Sequence, residues 1–179
     1  APSQAATSPA TTIPAASATS VVSTVKTPIS PAEQLMQDVM AGYSFTLGKN
    51  PNAPTLYMFT DPLCPHCKDM IQMLNPALTR GDMTVKVLMV GALTPDSALL
   101  AAGLLSQNNP EEAYNALIYK NKTPPNGDAS DPRIAKNLDI MMKWKFTGTP
   151  VTVYRAKNGT IKILQGPPKS LDILLKDLR

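Results

Sequence analysis

The sequence contains few of the residues that usually bind structural metals. Its 179 residues include only two cysteines and one histidine. Structural zinc sites commonly need four cysteine or histidine ligands, often supplied as two Cys-x-x-Cys pairs. The supply in this chain is too small for that arrangement, which argues against a structural zinc site.

Long apolar runs and clusters of basic residues are also missing. No stretch approaches the roughly 18 consecutive apolar residues that a membrane-spanning helix requires, so we predict no membrane span in this chain. The formal net charge is +4, but the sequence has no Lys/Arg-rich run and no patch that interleaves basic and aromatic residues. Nucleic-acid binding is therefore not indicated.

The first 30 residues differ in composition from the rest of the chain. Of these residues, 23 are Ala, Pro, Ser or Thr, and Lys26 carries the only charge. Such a segment has few side chains that can join a core, so we predict a disordered linker over residues 1–30 and a folded domain over residues 31–179.

The chain begins at Ala1 rather than at a methionine. Such a start is consistent with a removed signal peptide or with a trimmed piece of a longer chain. A removed signal peptide would place the protein in the periplasm or outside the cell, where oxidising conditions let a dithiol cycle with partner disulfides. We therefore expect a periplasmic or secreted protein.

Hydrophobic periodicity predicts alternating helices and strands over residues 31–179. Predicted strands cover residues 55–60, 84–90, 151–154 and 161–165, and predicted helices begin near Pro31, Cys64, Pro95, Pro110, Pro132 and Ser170. The apolar spacing places Met40 and Met142 on the buried faces of their helices. The sum is an α/β fold with a mixed sheet.

Both cysteines lie in the segment 59–67, separated by two residues. An apolar run precedes this segment and a helical pattern follows it, so we expect the cysteines at a strand-to-helix junction. If Cys64 opens the helix, free backbone N–H groups and the helix dipole stabilise its thiolate. His66, which can be cationic near neutral pH, acts in the same direction.

The remaining residues of the motif fit the same chemistry. Pro65 suits the first helical turn, where a missing N–H has little cost. Settings of this kind lower the pKa of a cysteine from about 8.5 to roughly 3.5–7.5. Cys67, one turn later, is positioned to attack a mixed disulfide on Cys64. We predict thiol–disulfide exchange by a redox-active Cys64–Cys67 pair, with no dissociable cofactor and no metal.

Two other interpretations of the cysteine pair stay open. The pair could form a purely structural disulfide, although a bridge that closes so short a loop adds little stability. Alternatively, Cys64 and Cys67 could bind copper(I) together with Met70 or Met73, because soft sulfur ligands suit that ion. In that case the domain would be a non-catalytic carrier or scaffold.

A second motif, Thr147-Gly148-Thr149-Pro150, stands ahead of the predicted C-terminal hairpin. Together with the segment 59–67 it resembles the thioredoxin superfamily, and more closely the periplasmic disulfide isomerases of the DsbC/DsbG type. The resemblance implies a thioredoxin-like fold with a mixed central sheet and a helical insertion. It also implies a cis peptide bond at Pro150, with Thr149 and Pro150 facing Cys64 and positioning the substrate.

The resemblance also implies the partners of the dithiol. These are protein substrates with cysteines or disulfides and a membrane-bound or soluble redox partner. The chain departs from the isomerases in two ways. The dipeptide Pro65-His66 is typical of DsbA-type dithiol oxidases, which makes an oxidase the alternative to an isomerase or reductase. In addition, the linker and one helix stand where those isomerases have an N-terminal dimerisation domain.

The position of acidic residues near the dithiol differs from that in thioredoxins. Thioredoxins and DsbA-type oxidases have a buried acid six residues before the first cysteine, and Met58 occupies that position here. Asp61, three residues before Cys64, matches the isomerase branch. It could relay a proton or cap the loop through side chain to backbone bonds, and we favour the cap.

Overall fold

Six helices and five strands make up the part of the chain that the computed structural model describes, residues 27–179. The helices are α1 (Pro31–Ala41), α2 (Pro65–Arg80), α3 (Pro95–Leu105), α4 (Pro110–Lys120), α5 (Pro132–Lys143) and α6 (Leu171–Leu178). The strands are β1 (Phe45–Leu47), β2 (Thr55–Thr60), β3 (Thr84–Met89), β4 (Val151–Arg155) and β5 (Ile161–Gln165). Of the predicted linker over residues 1–30, residues 1–26 lie outside the described part of the chain. None of the described helices is both long and apolar enough to cross a membrane.

The helices begin where the sequence places caps and prolines. A proline stands in the first turn of α1 to α5, where its missing N–H breaks no helical hydrogen bond. Ser30 caps α1 by accepting the N–H of Glu33, and Ser170 caps α6 by accepting the N–H of Ile173. The predicted helix starts are confirmed, because each depends on contacts within a single helical turn.

The sheet is mixed and has the strand order β1-β3-β2-β4-β5. Strands β2 and β3 run parallel, which requires the crossover through α2, whereas the other neighbours pair antiparallel. Met58 and Phe59 are consecutive residues of β2, so their side chains point to opposite faces of the sheet. Both are fully buried, which shows that both faces of β2 are covered.

 The central strand of the sheet, β2, ends at the buried residue Thr60. The loop that follows lies at the carboxyl edge of this strand.

Helices cover both faces of this sheet. Met58 belongs to one hydrophobic cluster, which side chains of α2, α3, α4 and α6 complete. Phe59 belongs to the second cluster, which side chains of α1 and α5 complete. The fold is thioredoxin-like, with α3, α4 and α5 inserted between β3 and β4, as the resemblance implied.

Two predictions about the core were wrong. Met40 is 60% exposed and Met142 is 66% exposed, because α1 and α5 bury narrower stripes than the apolar spacing suggests. In α5 a buried position is taken by Asn137, whose side-chain amide donates to the carbonyl groups of Tyr43 and Met89. The short strand β1, which no sequence pattern indicated, pairs with β3.

Candidate active site

The two cysteines form a disulfide at the start of α2, with their Cα atoms 5.3 Å apart. Cys64 is the N-cap residue, and its Sγ accepts the backbone N–H of Cys67 at 3.2 Å. The exposed fraction is 7% for Cys64 and 1% for Cys67. Cys64 is therefore the more accessible of the two, and the sulfur of Cys67 is enclosed by the fold.

The surroundings of Cys64 favour a negative charge on its sulfur. Cys64 stands at the positive end of a helix of 16 residues, and the backbone N–H of Cys67 points at its sulfur. Both features stabilise a thiolate over a thiol. Pro65 and His66 lie in the first turn of the same helix, and both are exposed.

The loop before β4 faces the disulfide. The bond between Thr149 and Pro150 is cis, as the sequence resemblance implied. The Sγ of Cys64 lies 3.4 Å from the carbonyl oxygen of Thr149. Thr149 is half-buried and Pro150 is buried, so the structure brings Thr149 and Pro150 together with the cysteines at one edge of the sheet.

Asp61, three residues before Cys64, is surrounded by hydrogen-bond donors. Its side chain is only 2% exposed. Oδ1 accepts the N–H of Leu63 and the hydroxyl of Ser97, and Oδ2 accepts the N–H groups of Ala92 and Leu93, all at 2.9 Å. A carboxylate has about four lone-pair positions that accept hydrogen bonds, and these four donors occupy them.

The donors to Asp61 come from two parts of the chain. Leu63 belongs to the loop that carries Cys64, whereas Leu93 and Ser97 belong to the start of the helical insertion. The backbone carbonyl of Asp61 also accepts the N–H of Cys64 at 3.1 Å. Asp61 therefore ties the cysteine loop to the insertion. Sequence reasoning missed Ser97, whose only local indication is the capping pair that it forms with Thr94.

Methionine and threonine side chains fill the core behind α2. Met58, at the position where thioredoxins have an acid, is fully buried and pairs across the sheet with Thr152. The hydroxyl of Thr152 donates to the sulfur of Met70 at 3.9 Å, and Met70 is fully buried. This placement favours core packing for Met70 over metal binding. Within residues 27–179, no group of three or more His, Cys, Asp or Glu side chains is arranged to hold a metal ion.

Comparison with known sequences identifies similar proteins. A family model described as a thioredoxin-like domain matches residues 45–179. The thiol:disulfide interchange protein DsbG of Escherichia coli is 29% identical over 154 residues, which make up 81% of this chain and 62% of DsbG. DsbG of Pseudomonas aeruginosa is 27% identical over 123 residues, which make up 64% of this chain and 47% of that protein. The chain thus spans less than two thirds of the length of these relatives.

Solved structures share the same architecture. A disulfide interchange protein from Neisseria gonorrhoeae is 25% identical, with a TM-score of 0.61, and the match covers 75% of this chain and 94% of that one. ScsC of Proteus mirabilis, in a transitional conformation, is 21% identical with a TM-score of 0.64, over 83% of this chain and 79% of that one. The second likeness concerns the fold alone.

Proposed function

This chain belongs to the thioredoxin-like domain family, and from that premise we propose that it is a thiol:disulfide interchange protein of the periplasm. Its substrates are proteins with cysteines or disulfides. The observation that carries the proposal is the position of Cys64, which caps α2 with its sulfur next to the N–H of Cys67 and the carbonyl of Thr149. Relatives whose names state this activity, and a periplasmic thioredoxin-like protein of similar fold from Salmonella enterica, support it.

The cysteines have different roles in the proposed reaction. The thiolate of Cys64 attacks one sulfur of a substrate disulfide, so that a mixed disulfide forms and the other substrate sulfur leaves as a thiolate. The thiolate of Cys67 then attacks the sulfur of Cys64 and releases the second substrate thiol. Two electrons have passed from the dithiol to the substrate. The same steps in reverse oxidise a substrate dithiol.

The other residues of the site hold and tune this pair. Thr149 and Pro150 present backbone beside Cys64, against which an extended substrate can align in the manner of an added strand. Pro65 and His66 lie exposed in the first turn of α2, and a cationic imidazole there stabilises the thiolate of Cys64. We assign Asp61 to loop positioning, because four donors occupy its carboxylate.

Insulin reduction tests the exchange activity. In the presence of dithiothreitol, the wild-type protein is expected to accelerate the precipitation of insulin chains, and Cys64→Ala is expected to lose this acceleration. Thermal unfolding of both proteins serves as the control for folding. Full activity in Cys64→Ala would rule out the exchange mechanism.

The direction of exchange separates two candidate functions. The resemblance to the DsbC/DsbG-type isomerases favours an isomerase or reductase. The dipeptide Pro65-His66 instead favours a DsbA-like oxidase, because stabilising the reduced form makes the disulfide more oxidising. Titration of the Cys64–Cys67 pair in glutathione buffers distinguishes them. A potential near about −120 mV indicates an oxidase, and one well below about −180 mV indicates a reductase. A membrane-bound or soluble redox partner would maintain the required state.

A further inference from the structure

The strand β5 forms a free edge of the sheet. It pairs with β4 on one side, and among residues 27–179 no strand lies on its other side. Just beyond β5, the N–H of Gly166 donates to the carbonyl of Pro150 at 2.9 Å. Hydrogen-bonded pairs alternate along an antiparallel ladder, so the N–H and C=O groups of Ile161, Ile163 and Gln165 point away from β4. These backbone groups therefore line the free edge.

The outward-pointing positions of this edge carry no charge. Native proteins commonly block a free edge with charged side chains, with proline or with a covering segment. Ile163 is 49% exposed, Gln165 is exposed as well, and β5 contains no proline. A further strand can therefore extend the sheet at β5. Because β4 separates β5 from β2, which leads into the cysteine loop, this edge is distinct from the dithiol site.

The two faces of the sheet next to this edge differ in chemistry. Paired residues of neighbouring strands point to the same face. Ile163 pairs with Val153, whose cluster α1 and α5 complete, so Ile163 lies on the face that these helices cover. Lys162 and Leu164 lie on the opposite face, next to α6. A strand added to β5 would thus place alternate side chains beside Ile163 and beside the pair of Lys162 and Leu164.

A groove of about 480 Å³ lies between β5 and α6. Leu164 and Ile173 contribute to its apolar wall, and Ile173 is 57% exposed. One acidic side chain, Asp177, lines the groove and is paired with a lysine of β5. Among residues 27–179, no acidic group forms an ion pair with the other two lysines. The three lysines that line the groove are Lys162, Lys169 and Lys176. The groove therefore favours an anionic group on a short apolar stem.

We propose that the free edge of β5 binds an extended segment of a partner protein in which apolar and acidic residues alternate. The segment runs antiparallel to β5, because antiparallel pairing is the slightly more stable kind. Its apolar side chains lie beside Ile163, and its acidic side chains lie over the groove near Lys169 and Lys176.

The charges favour this occupant over two others. A second copy of the chain would pair through its own β5 and bring another Lys162 to a groove that already holds three lysines. The segment 1–26 of the same chain contains no acidic residue and carries one lysine, Lys26. Neither supplies the negative charge that the groove would bind.

Three labelled peptides test the predicted pattern. Ser-Val-Glu-Val-Glu-Val-Ser alternates, Ser-Glu-Glu-Val-Val-Val-Ser has the same composition without alternation, and Ser-Val-Lys-Val-Lys-Val-Ser reverses the charge. Fluorescence anisotropy with the wild-type protein is expected to give the first peptide an affinity at least about tenfold higher than that of either other peptide. Equal affinities, or no binding of the first peptide, would overturn the proposal.

Methylated peptides test whether the backbone pairs. In the antiparallel register, with the central valine opposite Ile163, the valine N–H groups face β5 and the glutamate N–H groups face solvent. Methylation of the central valine nitrogen is expected to weaken binding about tenfold, and methylation of a glutamate nitrogen by less than about twofold. Equal effects of the two methyl groups would contradict an added strand.

Ile163→Pro removes the matching donor of the protein. The N–H of Ile163 points away from β4, so proline at this edge position breaks no bond of the ladder. The variant is expected to keep its insulin reduction and to bind the alternating peptide about tenfold more weakly. Unchanged binding by the folded variant would overturn the edge as the site. Loss of insulin reduction by the wild type would instead contradict the exchange function alone.

Paired lysine variants test the charge of the groove. Lys169→Ser/Lys176→Ser is expected to reduce the preference for the glutamate peptide over the lysine peptide to about twofold or less. Lys120→Ser/Lys136→Ser removes the same charge from exposed positions on α4 and α5 and is expected to keep the preference. An equal loss in both variants would show a general charge effect and overturn the groove.

The other occupants give different results. Sedimentation of the wild-type protein without peptide is expected to show no dimer that Ile163→Pro dissociates. Val22→Pro/Thr24→Pro, which prevents strand pairing by the segment 1–26, is expected to leave the peptide affinity unchanged. A dimer of that kind would assign the edge to a second copy, and a rise in affinity of about tenfold would assign it to the segment 1–26. Either result would overturn the proposal.

Discussion

The hydroxyl of Ser97 donates to Oδ1 of Asp61 at 2.9 Å, and both side chains are buried. Asp61 follows the central strand β2, whereas Ser97 lies in the first turn of α3. This bond joins the loop that carries the cysteines to the helical insertion. The cysteine loop is therefore held by a polar contact between distant segments as well as by the helix that follows it.

Substitution of Asp61 is expected to destabilise the protein. In Asp61→Asn one oxygen becomes an amide nitrogen, which cannot accept, so two of the four buried or part-buried donors lose their acceptor. Because each unpaired buried group costs about 1–3 kcal/mol, we expect the free energy of unfolding to fall by about 2–4 kcal/mol. Urea denaturation measures this value.

Ser97→Ala is the matched control for Asp61→Asn. It removes one donor to Asp61 and leaves the carboxylate with three, and it also removes the acceptor of the N–H of Thr94 at the exposed start of α3. A loss of about 1 kcal/mol is expected. Equal stabilities of Asp61→Asn and the wild type would contradict the anchoring role. So would a change confined to the pH dependence of exchange, which is the result expected of a proton relay.

Gly103 is expected to tolerate no side chain. A Cβ at this position of α3 would collide with the carbonyl group of Pro125, and the same loop is held by the N–H of Gly127, which donates to the carbonyl of Leu99 at 2.8 Å. Gly103→Ala is therefore expected to lower the free energy of unfolding by about 1–3 kcal/mol, as overpacking does.

Gly148→Ala is the control for Gly103→Ala. A Cβ at Gly148, next to Thr149, would meet no atom within 4 Å, so its effect on stability is expected to stay within about 0.5 kcal/mol. Thermal or urea unfolding of both variants checks the pair. A stable Gly103→Ala protein would show that the loop at Pro125 yields to the added methyl group.

Lys145 adopts a backbone conformation that favours glycine. Its φ is 58°, and it lies two residues after the last residue of α5. The turn is closed by the N–H of Phe146, which donates to the carbonyl of Met141 at 2.9 Å. Left-handed conformations cost non-glycine residues about 1–2 kcal/mol. Lys145→Gly is expected to raise the free energy of unfolding by about 0.5–1 kcal/mol, after the greater freedom of glycine in the unfolded chain is subtracted.

Lys136→Gly, inside α5, provides the opposite case. Lys136 is exposed in the interior of α5, where glycine costs about 1 kcal/mol relative to good helix formers. Chemical denaturation of the two variants is therefore expected to give changes of opposite sign. A destabilised Lys145→Gly protein would contradict the assignment of the turn.

Asp177 is expected to make stability depend on acidic pH. The ammonium group of Lys162 and the hydroxyl of Tyr154 donate to its carboxylate at 2.8 and 2.6 Å. These bonds, that of Lys162 foremost, hold the pKa of Asp177 below its ordinary value. Because the pKa is lower in the folded state, the contribution to stability is present above about pH 4 and is lost as the pH falls through the folded pKa.

Asp177→Asn tests this dependence. Since the pair is partly exposed, with 26% of the Asp177 side chain accessible, we expect a loss of only about 0.5–1 kcal/mol at pH 7. The difference from the wild type is expected to shrink toward pH 3. Urea denaturation at pH 7, 5 and 3 measures it, and a difference that is independent of pH would refute the role of the ionised carboxylate.

Local patterns predicted most of the fold, and contacts between distant segments explain what they missed. The caps at Ser30 and Ser170 act within one helical turn, so sequence spacing sufficed. The burial of Asn137 in α5 depends on Tyr43 and Met89, which lie 94 and 48 residues away. Strand β1 is three residues long and is defined by its pairing with β3.

In the candidate site, too, local motifs could be predicted and contacts between distant segments could not. Cys64, Cys67 and the cis bond at Pro150 follow from short motifs, the last through a family resemblance. The ring of donors around Asp61 joins residues 61–63 to residues 92–97, and no spacing rule connects these two segments. The sequence therefore indicated the two sulfur atoms and a loop cap at Asp61, whereas the donors of residues 92–97 became visible only in the structure.

The central claim is that Cys64 is the nucleophile and Cys67 the resolving thiol. Mass spectrometry of Cys67→Ser and Cys64→Ser, after brief incubation of each reduced variant with a disulfide-bonded peptide, tests this claim most directly. We expect Cys67→Ser to accumulate one mixed disulfide through Cys64, and Cys64→Ser to form at most a trace, because Cys67 is only 1% exposed. Equal trapping by both variants, or faster trapping by Cys64→Ser, would contradict the account.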